Sequence, residues 1–313
     1  METTISTRKK CRTATLLSFT QRVLSPPNDG TKHGHQADYF SPAKYLMQEN
    51  TRTGRTFAVR VDVRNTFIQR TVFGMTQTCA LPLALIQLEI PPPAVVAKIG
   101  EQPAWFIDAL QLQPADYVIV RPHLGEALPA FDRVSGAILS GSWAMVTDHA
   151  EWSERTAAWI RAALEAALPL LGVCYGHQLM AYALGGEVAD NPNGWERGLK
   201  TLTRNGQGDP WLAHLPDTFS AWLSHRQSVL VPPRHAQVLA HSAQEGCQIL
   251  RYSAQAISVQ FHPEFTPHIM SACLPAETGD TGEQIAGDDW ARELLRRFWL
   301  QTRPQSRARA QGA

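Results

Sequence analysis

Gly172-Val173-Cys174-Tyr175-Gly176-His177-Gln178 sets a thiol midway between two glycines. Cysteine is a nucleophile only when something takes its proton and something receives the negative charge that forms on its target. Glycines two residues before and two after permit a sharp turn that lifts the sulfur clear of the backbone, the geometry of a nucleophile elbow with Cys in the place of Ser. A helix opening just after the turn aims its free amides at the same spot, where they stabilise an anion. The base is found in Gln260-Phe261-His262-Pro263-Glu264-Phe265. His262 can accept the thiol proton and return it to a leaving amine, while Glu264 orients the imidazole through its other nitrogen. Taken alone, a single His is more often structural than catalytic; paired with the Cys174 turn, it completes a Cys-His-Glu triad.

These groups need strands and helices to hold them. Pro169-Leu170-Leu171-Gly172-Val173 is a short apolar run of the kind that forms a buried strand, and Gln178 to Leu184 reads as the following helix, stopped by Gly185-Gly186. Upstream, Leu83 to Leu88, Tyr117 to Val120 and Gly136 to Ser140 read as strands. Apolar residues at helical spacing around Trp105 to Leu110, and from Trp152 to Ala167, separate them. This alternation predicts an α/β fold, an open and mostly parallel sheet with helices on both faces. Thr218 to Leu223, Gln237 to Ala240, Cys247 to Tyr252 and Ala256 to Phe261 are further strands separated by turns, which predicts a mixed or antiparallel edge. Ala291 to Gln301 is a final amphipathic helix. The run Ile257 to Phe261 would present His262 and Glu264 at the carboxyl end of a strand, where open α/β sheets place their sites.

The chain has 313 residues with a net charge of +1, so no global field argues for nucleic acid or for a membrane surface. That balance is uneven: residues 1–74 carry a net +7 and the rest a net −6. Low hydrophobicity and excess charge in 1–74 predict disorder, or an N-terminal extension outside the ancestral domain, with the domain occupying 75–301 and a frayed tail at 302–313. The Arg/Ser/Thr enrichment of 1–74 has the look of a transit peptide, but its five acidic residues argue against one. Five cysteines with no CxxC pair suit neither a disulfide framework nor a zinc site, and free thiols fit a reducing, cytoplasmic setting. No apolar run approaches membrane-spanning length.

The motif set resembles class I glutamine amidotransferases, in their GMP-synthase-like branch, over roughly residues 83–270. It comprises the Cys174 turn, Leu184-Gly185-Gly186, Asn191-Pro192-Asn193-Gly194 with Glu196 and Gly198, and Gln260 to Glu264. The resemblance implies a flavodoxin-like fold and hydrolysis of the γ-amide of glutamine, or of a γ-glutamyl conjugate, through a cysteinyl thioester and without a cofactor or metal. It also implies further roles. The backbone amide of Tyr175, with one from Gly141 or Ser142 in Leu139-Ser140-Gly141-Ser142-Trp143, would bind the oxyanion. Gln178 and the segment Ser224, Arg226 and Gln227 would hold the glutamyl end, largely through backbone groups. Trp143 stands where many relatives have Pro, and Arg226 and Gln227 stand where relatives usually have Gly and Asp. A γ-glutamyl peptidase, which acts on γ-glutamyl peptides, is the nearest alternative activity. A regulatory module of the same fold would be expected to have lost one of the three triad residues. No phosphate-loop motif G-x-x-x-x-G-K-[ST] occurs, so this chain alone is not expected to make GMP. Any ammonia acceptor would be a separate synthase subunit.

Overall fold

The structure is a computed structural model. It describes residues 44–50, 55–61, 72–75, 80–205, 208–274, 285 and 287–303. The chain divides into two compact units, Met1–Gln77 and Thr78–Ala313.

In the first unit, three strands, β1 (Lys44–Asn50), β2 (Arg55–Val61) and β3 (Val72–Met75), form an antiparallel sheet of order β1-β2-β3. The sequence shows no sustained alternation here, and these strands are not expected from it. The remainder of 1–74 lies outside the described residues.

The second unit is an α/β domain. Its elements in chain order are β4 (Leu83–Ile86), α1 (Pro93–Ile99), α2 (Gln102–Leu110), β5 (Tyr117–Val120), β6 (Gly136–Leu139), α3 (Glu151–Glu165), β7 (Leu170–Val173) and α4 (Tyr175–Ala183). There follow β8 (Glu187–Asp190), β9 (Glu196–Arg204), β10 (Thr218–His225), β11 (Gln227–Val231), β12 (Gln237–His241), β13 (Ile249–Arg251), β14 (Ala256–Val259), α5 (Pro267–Cys273) and α6 (Trp290–Thr302).

Nine strands form one sheet in the order β10-β9-β12-β13-β14-β7-β6-β4-β5. From β14 to β5 every neighbour is parallel, and from β10 to β14 every neighbour is antiparallel. β4, β6, β7 and β14 are buried at every position, which is why they read as unbroken apolar runs rather than as alternating ones. α3 lays Ala157, Ile160 and Ala163 into the core on one side of the sheet, and α6 lays Leu294, Leu295 and Phe298 into the core on the other. Each large side chain so buried contributes about 1.5–3 kcal/mol. A separate two-stranded pair, β11 with β8, flanks α4.

The chain runs from β4 out to β5 and then back across β4 to β6 and β7. That reversal opens a crevice beyond the carboxyl ends of the strands. Parallel pairing sets Leu139 level with Gly172 and Val259 level with Val173. The residues that follow β6, β7 and β14 therefore emerge side by side.

Candidate active site

Cys174 is the junction between β7 and α4, and its backbone adopts φ 53° and ψ −105°. A non-glycine residue in that region costs on the order of 1–3 kcal/mol and persists only where its surroundings enforce it. Here they do. The Cys174 N–H donates to the Val259 carbonyl (2.9 Å), and the Gly176 N–H donates to the Ser140 carbonyl (3.1 Å). A Cβ on Gly176 would run into the Leu139 carbonyl, and one on Gly172 would meet the Gly176 carbonyl oxygen at 2.5 Å. Both glycines are thus required by the closeness of the turn, not by an unusual φ of their own.

The turn brings the thiol to His262, whose own N–H is fixed to the Trp222 carbonyl (2.8 Å). His262 Nδ1 lies 2.8 Å from Glu264 Oε1. Both side chains are buried, at 7% and 1% exposure. Burial opposes a charge on the imidazole, but the Glu264 carboxylate, together with the charge and hydrogen bond of Cys174, outweighs it and pushes the His262 pKa up to about 10. Nδ1–H of the imidazolium then donates to Glu264. The ring also stacks on Phe265, with centroids 3.9 Å apart and planes 20° apart. A thiol, an imidazole facing it and a carboxylate behind the imidazole are arranged as acyl transfer by a nucleophile, a base and an orienting group would need.

The Ser140–Ala144 loop faces the elbow. A Cβ on Gly141 would lie 3.1 Å from His262 Cε1 and 3.6 Å from Cys174 Cβ. Two anchors hold the loop. The Gly141 carbonyl accepts from Ser140 Oγ (2.8 Å) and from Gln102 Nε2 (3.2 Å). Glu89 Oε2 accepts from Ser142 Oγ (2.7 Å), from the Trp143 N–H (2.6 Å) and from the Ala144 N–H (2.8 Å). In a trans peptide the N–H points opposite to the preceding C=O, so anchoring the Gly141 carbonyl fixes the direction of the Ser142 N–H. The Gly141 and Ser142 amides make no hydrogen bond among the described residues. With Tyr175 N–H at the start of α4, they are donors available to an oxyanion. Glu89 and Gln102 do not stand out in the sequence. The only trace of Glu89 there is a lone acid directly after an apolar strand.

The family model for glutamine amidotransferase class-I matches residues 111–276, more than half of the chain. The chain belongs to the class I glutamine amidotransferases. A glutamine-hydrolysing GMP synthase subunit from Saccharolobus solfataricus is 37% identical over 154 residues, which cover 48% of this chain and 77% of that protein. A glutamine-hydrolysing GMP synthase from Aeropyrum pernix is 38% identical over 141 residues, 45% of this chain but only 26% of that longer protein. Among solved structures, a glutamine amidotransferase from Thermotoga maritima superposes with a TM-score of 0.56 at 19% identity, covering 71% of this chain and 98% of its own. A glutamine amido transferase from Methylobacillus flagellatus gives 0.55 at 22%, covering 71% of this chain and 95% of its own. These superpositions establish the amidotransferase fold. Among the described residues, no helix is long and apolar enough to cross a membrane.

The remaining amidotransferase-like positions line the same crevice. Gln178 is buried, and its Nε2 donates to the Gln227 carbonyl (2.6 Å) and to Gln260 Oε1 (3.0 Å). The Ser224 carbonyl lies 3.8 Å from Cys174 Sγ. The side chains of Arg226 and Gln227 are engaged elsewhere: the Arg226 guanidinium pairs with Asp190 (2.6 Å), and Gln227 Nε2 donates to Thr147 Oγ1 (2.7 Å) and to Asp190 Oδ1 (3.2 Å). What the Ser224–Gln227 segment presents to a ligand is therefore mainly backbone.

Behind that segment lies a polar cluster whose members nothing in the sequence groups together. His225 Nε2 sits 3.0 Å from Glu196 Oε2 and 3.4 Å from Glu245 Oε2, and all three side chains are buried. His225 Nδ1 lies 2.9 Å from the Gln227 carbonyl, which ties the cluster to the segment. Burial pushes Glu245 up to about 7, partly offset by His225. His177 on α4 is fully buried, with Nδ1 2.7 Å from Ser258 Oγ. Burial, reinforced by His225, pulls it down to about 3.

The His177 shift has a measurable consequence. Between about pH 3 and 6.5 the unfolded chain binds a proton at His177 that the folded chain refuses, so stability falls as pH falls through that window. Glu245 acts in the opposite sense between 4.5 and about 7, where the folded chain holds the extra proton. His177→Gln keeps a partner for Ser258 and removes only the first effect. At pH 5 the His177 penalty is about 2 kcal/mol. The loss of stability between pH 7 and pH 5, measured by urea titration, should be smaller by about that amount in the variant. An unchanged loss would mean that His177 is protonated in the folded protein.

Proposed function

We propose that this amidotransferase hydrolyses the γ-amide of glutamine, or of a γ-glutamyl conjugate, with Cys174, His262 and Glu264 as its catalytic triad. The observation that carries the reading is the strained Cys174 junction facing an imidazole held by a buried carboxylate. His262 takes the proton from Sγ, and the sulfur attacks the γ-carbonyl carbon. The carbonyl oxygen becomes an oxyanion held by the Tyr175 N–H and by that of Gly141 or Ser142. As the C–N bond breaks, His262 returns the proton to the leaving nitrogen, which departs as ammonia or an amine. Water, deprotonated by His262, then adds to the thioester. Glutamate leaves, and the proton returns to Sγ. Gln178 and the backbone of Ser224–Gln227 hold the glutamyl end. The activity sits in residues 75–301.

Two relatives are named as one subunit of a GMP synthase, so a separate synthase subunit is the ammonia acceptor to test for. The oxyanion loop, however, is already braced by Glu89 and Gln102, which favours a hydrolase competent by itself. The isolated protein, assayed on glutamine and a panel of γ-glutamyl amides, should release glutamate at on the order of 1 s⁻¹ or faster. Turnover orders of magnitude lower that rises when a co-purifying synthase is added would replace this reading with that of an obligate subunit.

A further inference from the structure

The cavity at Cys174 has a volume of about 770 Å³. Cavities of several hundred cubic ångströms hold drug-sized ligands, and glutamine fills only a fraction of one. The two ends of this cavity differ. One is the polar end at Gln178 and Ser224–Gln227. The other runs past His262 to the faces of α1 and α5, where Lys98 and Ser271 also line it, and its apolar wall is Val95, Trp105, Trp143, Phe265, Cys273 and Leu274. These residues belong to, or pack against, a single apolar cluster.

The chemistry orients a substrate between these ends. If the glutamyl group occupies the polar end and the γ-carbonyl lies over Cys174, the leaving nitrogen must sit at the His262 imidazole that protonates it. The ring of His262 stacks on Phe265, and Phe265 meets Trp105 edge to face with centroids 5.7 Å apart. The apolar wall thus starts where the leaving group starts. Ammonia would use none of it. Trp105 and Phe265 bury each other, at 4% and 3% exposure, whereas Trp143 is only half-buried and keeps surface for a ligand. Glu89 grips the Trp143 and Ala144 amides, so this indole stands on a fixed loop. Bulk at position 143 therefore builds a wall on an ordered loop.

We propose that the apolar end is a leaving-group subsite, and that the preferred substrates are γ-glutamyl amides of aromatic or bulky apolar amines. This rests on the γ-glutamyl hydrolase reading above and narrows its substrate class. A ring buried against Trp143 gains the transfer free energy of its apolar surface and a ring–ring contact.

The test compares kcat/KM for glutamate release from γ-glutamyl-methylamide and from γ-glutamyl-phenethylamide, with glutamine as reference. The phenethylamide should be favoured by about ten-fold or more. Trp143→Ala should reduce that ratio to within about three-fold of unity. Ala272→Trp, which fills the same end from a partly exposed position on α5 without removing packing, should reduce it too. Calorimetry on Cys174→Ala gives a readout independent of turnover: the phenethylamide should bind about ten-fold more tightly than glutamine. Equal kcat/KM for the two amides, with glutamine still hydrolysed, overturns the subsite and leaves the hydrolase reading standing. A preference that survives both substitutions also overturns it. If no γ-glutamyl compound is hydrolysed, the hydrolase reading fails, and the calorimetric comparison alone decides the subsite: equal affinities overturn it and tighter phenethylamide binding upholds it.

Discussion

Cys174→Ala is expected to lower glutamate release on the order of 10⁴-fold or more, and His262→Ala to come close to the same floor. The double variant should be no slower than either single one, because nucleophile and base act as one unit and removing either removes both. Alanine retains the Cβ, so the strained junction at φ 53° and the packing around it stay as they are. The thermal midpoint of Cys174→Ala should therefore match the parent, which separates a lost nucleophile from a lost fold. Glu264→Gln should be the mildest of the three, since glutamine still accepts from Nδ1–H but carries no charge. It also makes a separate prediction about pH. With its folded pKa at about 10, His262 contributes stability that is fully present below its ordinary 6.5 and is lost as pH rises through about 10. Removing the Glu264 charge leaves burial to act without its main opponent, so the parent should lose more stability than Glu264→Gln between pH 7 and pH 10. Activity above a trace in Cys174→Ala would remove Cys174 from its role. A Glu264→Gln variant slower than His262→Ala would reverse the roles of base and orienting group.

The parts of the site that were legible in the sequence are those in which one short segment carries both the geometry and the chemistry. The Gly172–Gln178 turn announces itself because the two glycines, the apolar strand before and the helix after are contiguous. His262 and Glu264 lie two residues apart at a strand end, so their pairing follows from local spacing. The parallel half of the sheet was legible for a related reason. β4, β6, β7 and β14 are buried on both faces, and only uninterrupted apolar runs tolerate that. What stayed hidden is built from residues far apart in sequence. The strand β9 buries only Glu196, Gly198 and Leu202 and carries Glu196, Arg197, Lys200 and Arg204, so its composition resembles a solvated loop. Glu196, His225 and Glu245 come from separate segments, and no local spacing joins them. Their burial becomes tolerable only when they meet. The helix α4 begins at Tyr175, three residues before the apolar spacing suggests, because the elbow itself supplies its first turn.

Glu89 shows the same limit most sharply, since its three donors lie 53 to 55 residues downstream. One carboxylate oxygen holds a hydroxyl and two backbone amides. Glu89 does not line the cavity at Cys174. The effect of these hydrogen bonds is to keep the Trp143 and Ala144 amides turned toward Glu89, while the Gly141 and Ser142 amides make no hydrogen bond among the described residues. Glu89→Ala should leave the loop free to rotate those peptides and to misplace an oxyanion donor. Loss of one such donor costs on the order of 10²–10³ in kcat, and a comparable fall is expected here with KM changed by no more than a few-fold. Glu89→Gln keeps an acceptor oxygen of the same reach and should restore most of the rate, which a purely electrostatic role for the carboxylate would not allow. The thermal midpoint should move little for either variant, because Glu89 is only partly buried. If Glu89→Ala raises KM and leaves kcat unchanged, Glu89 acts on substrate binding and not on the oxyanion loop. If it lowers kcat and glutamine does not rescue it, the negative charge itself is what the site requires.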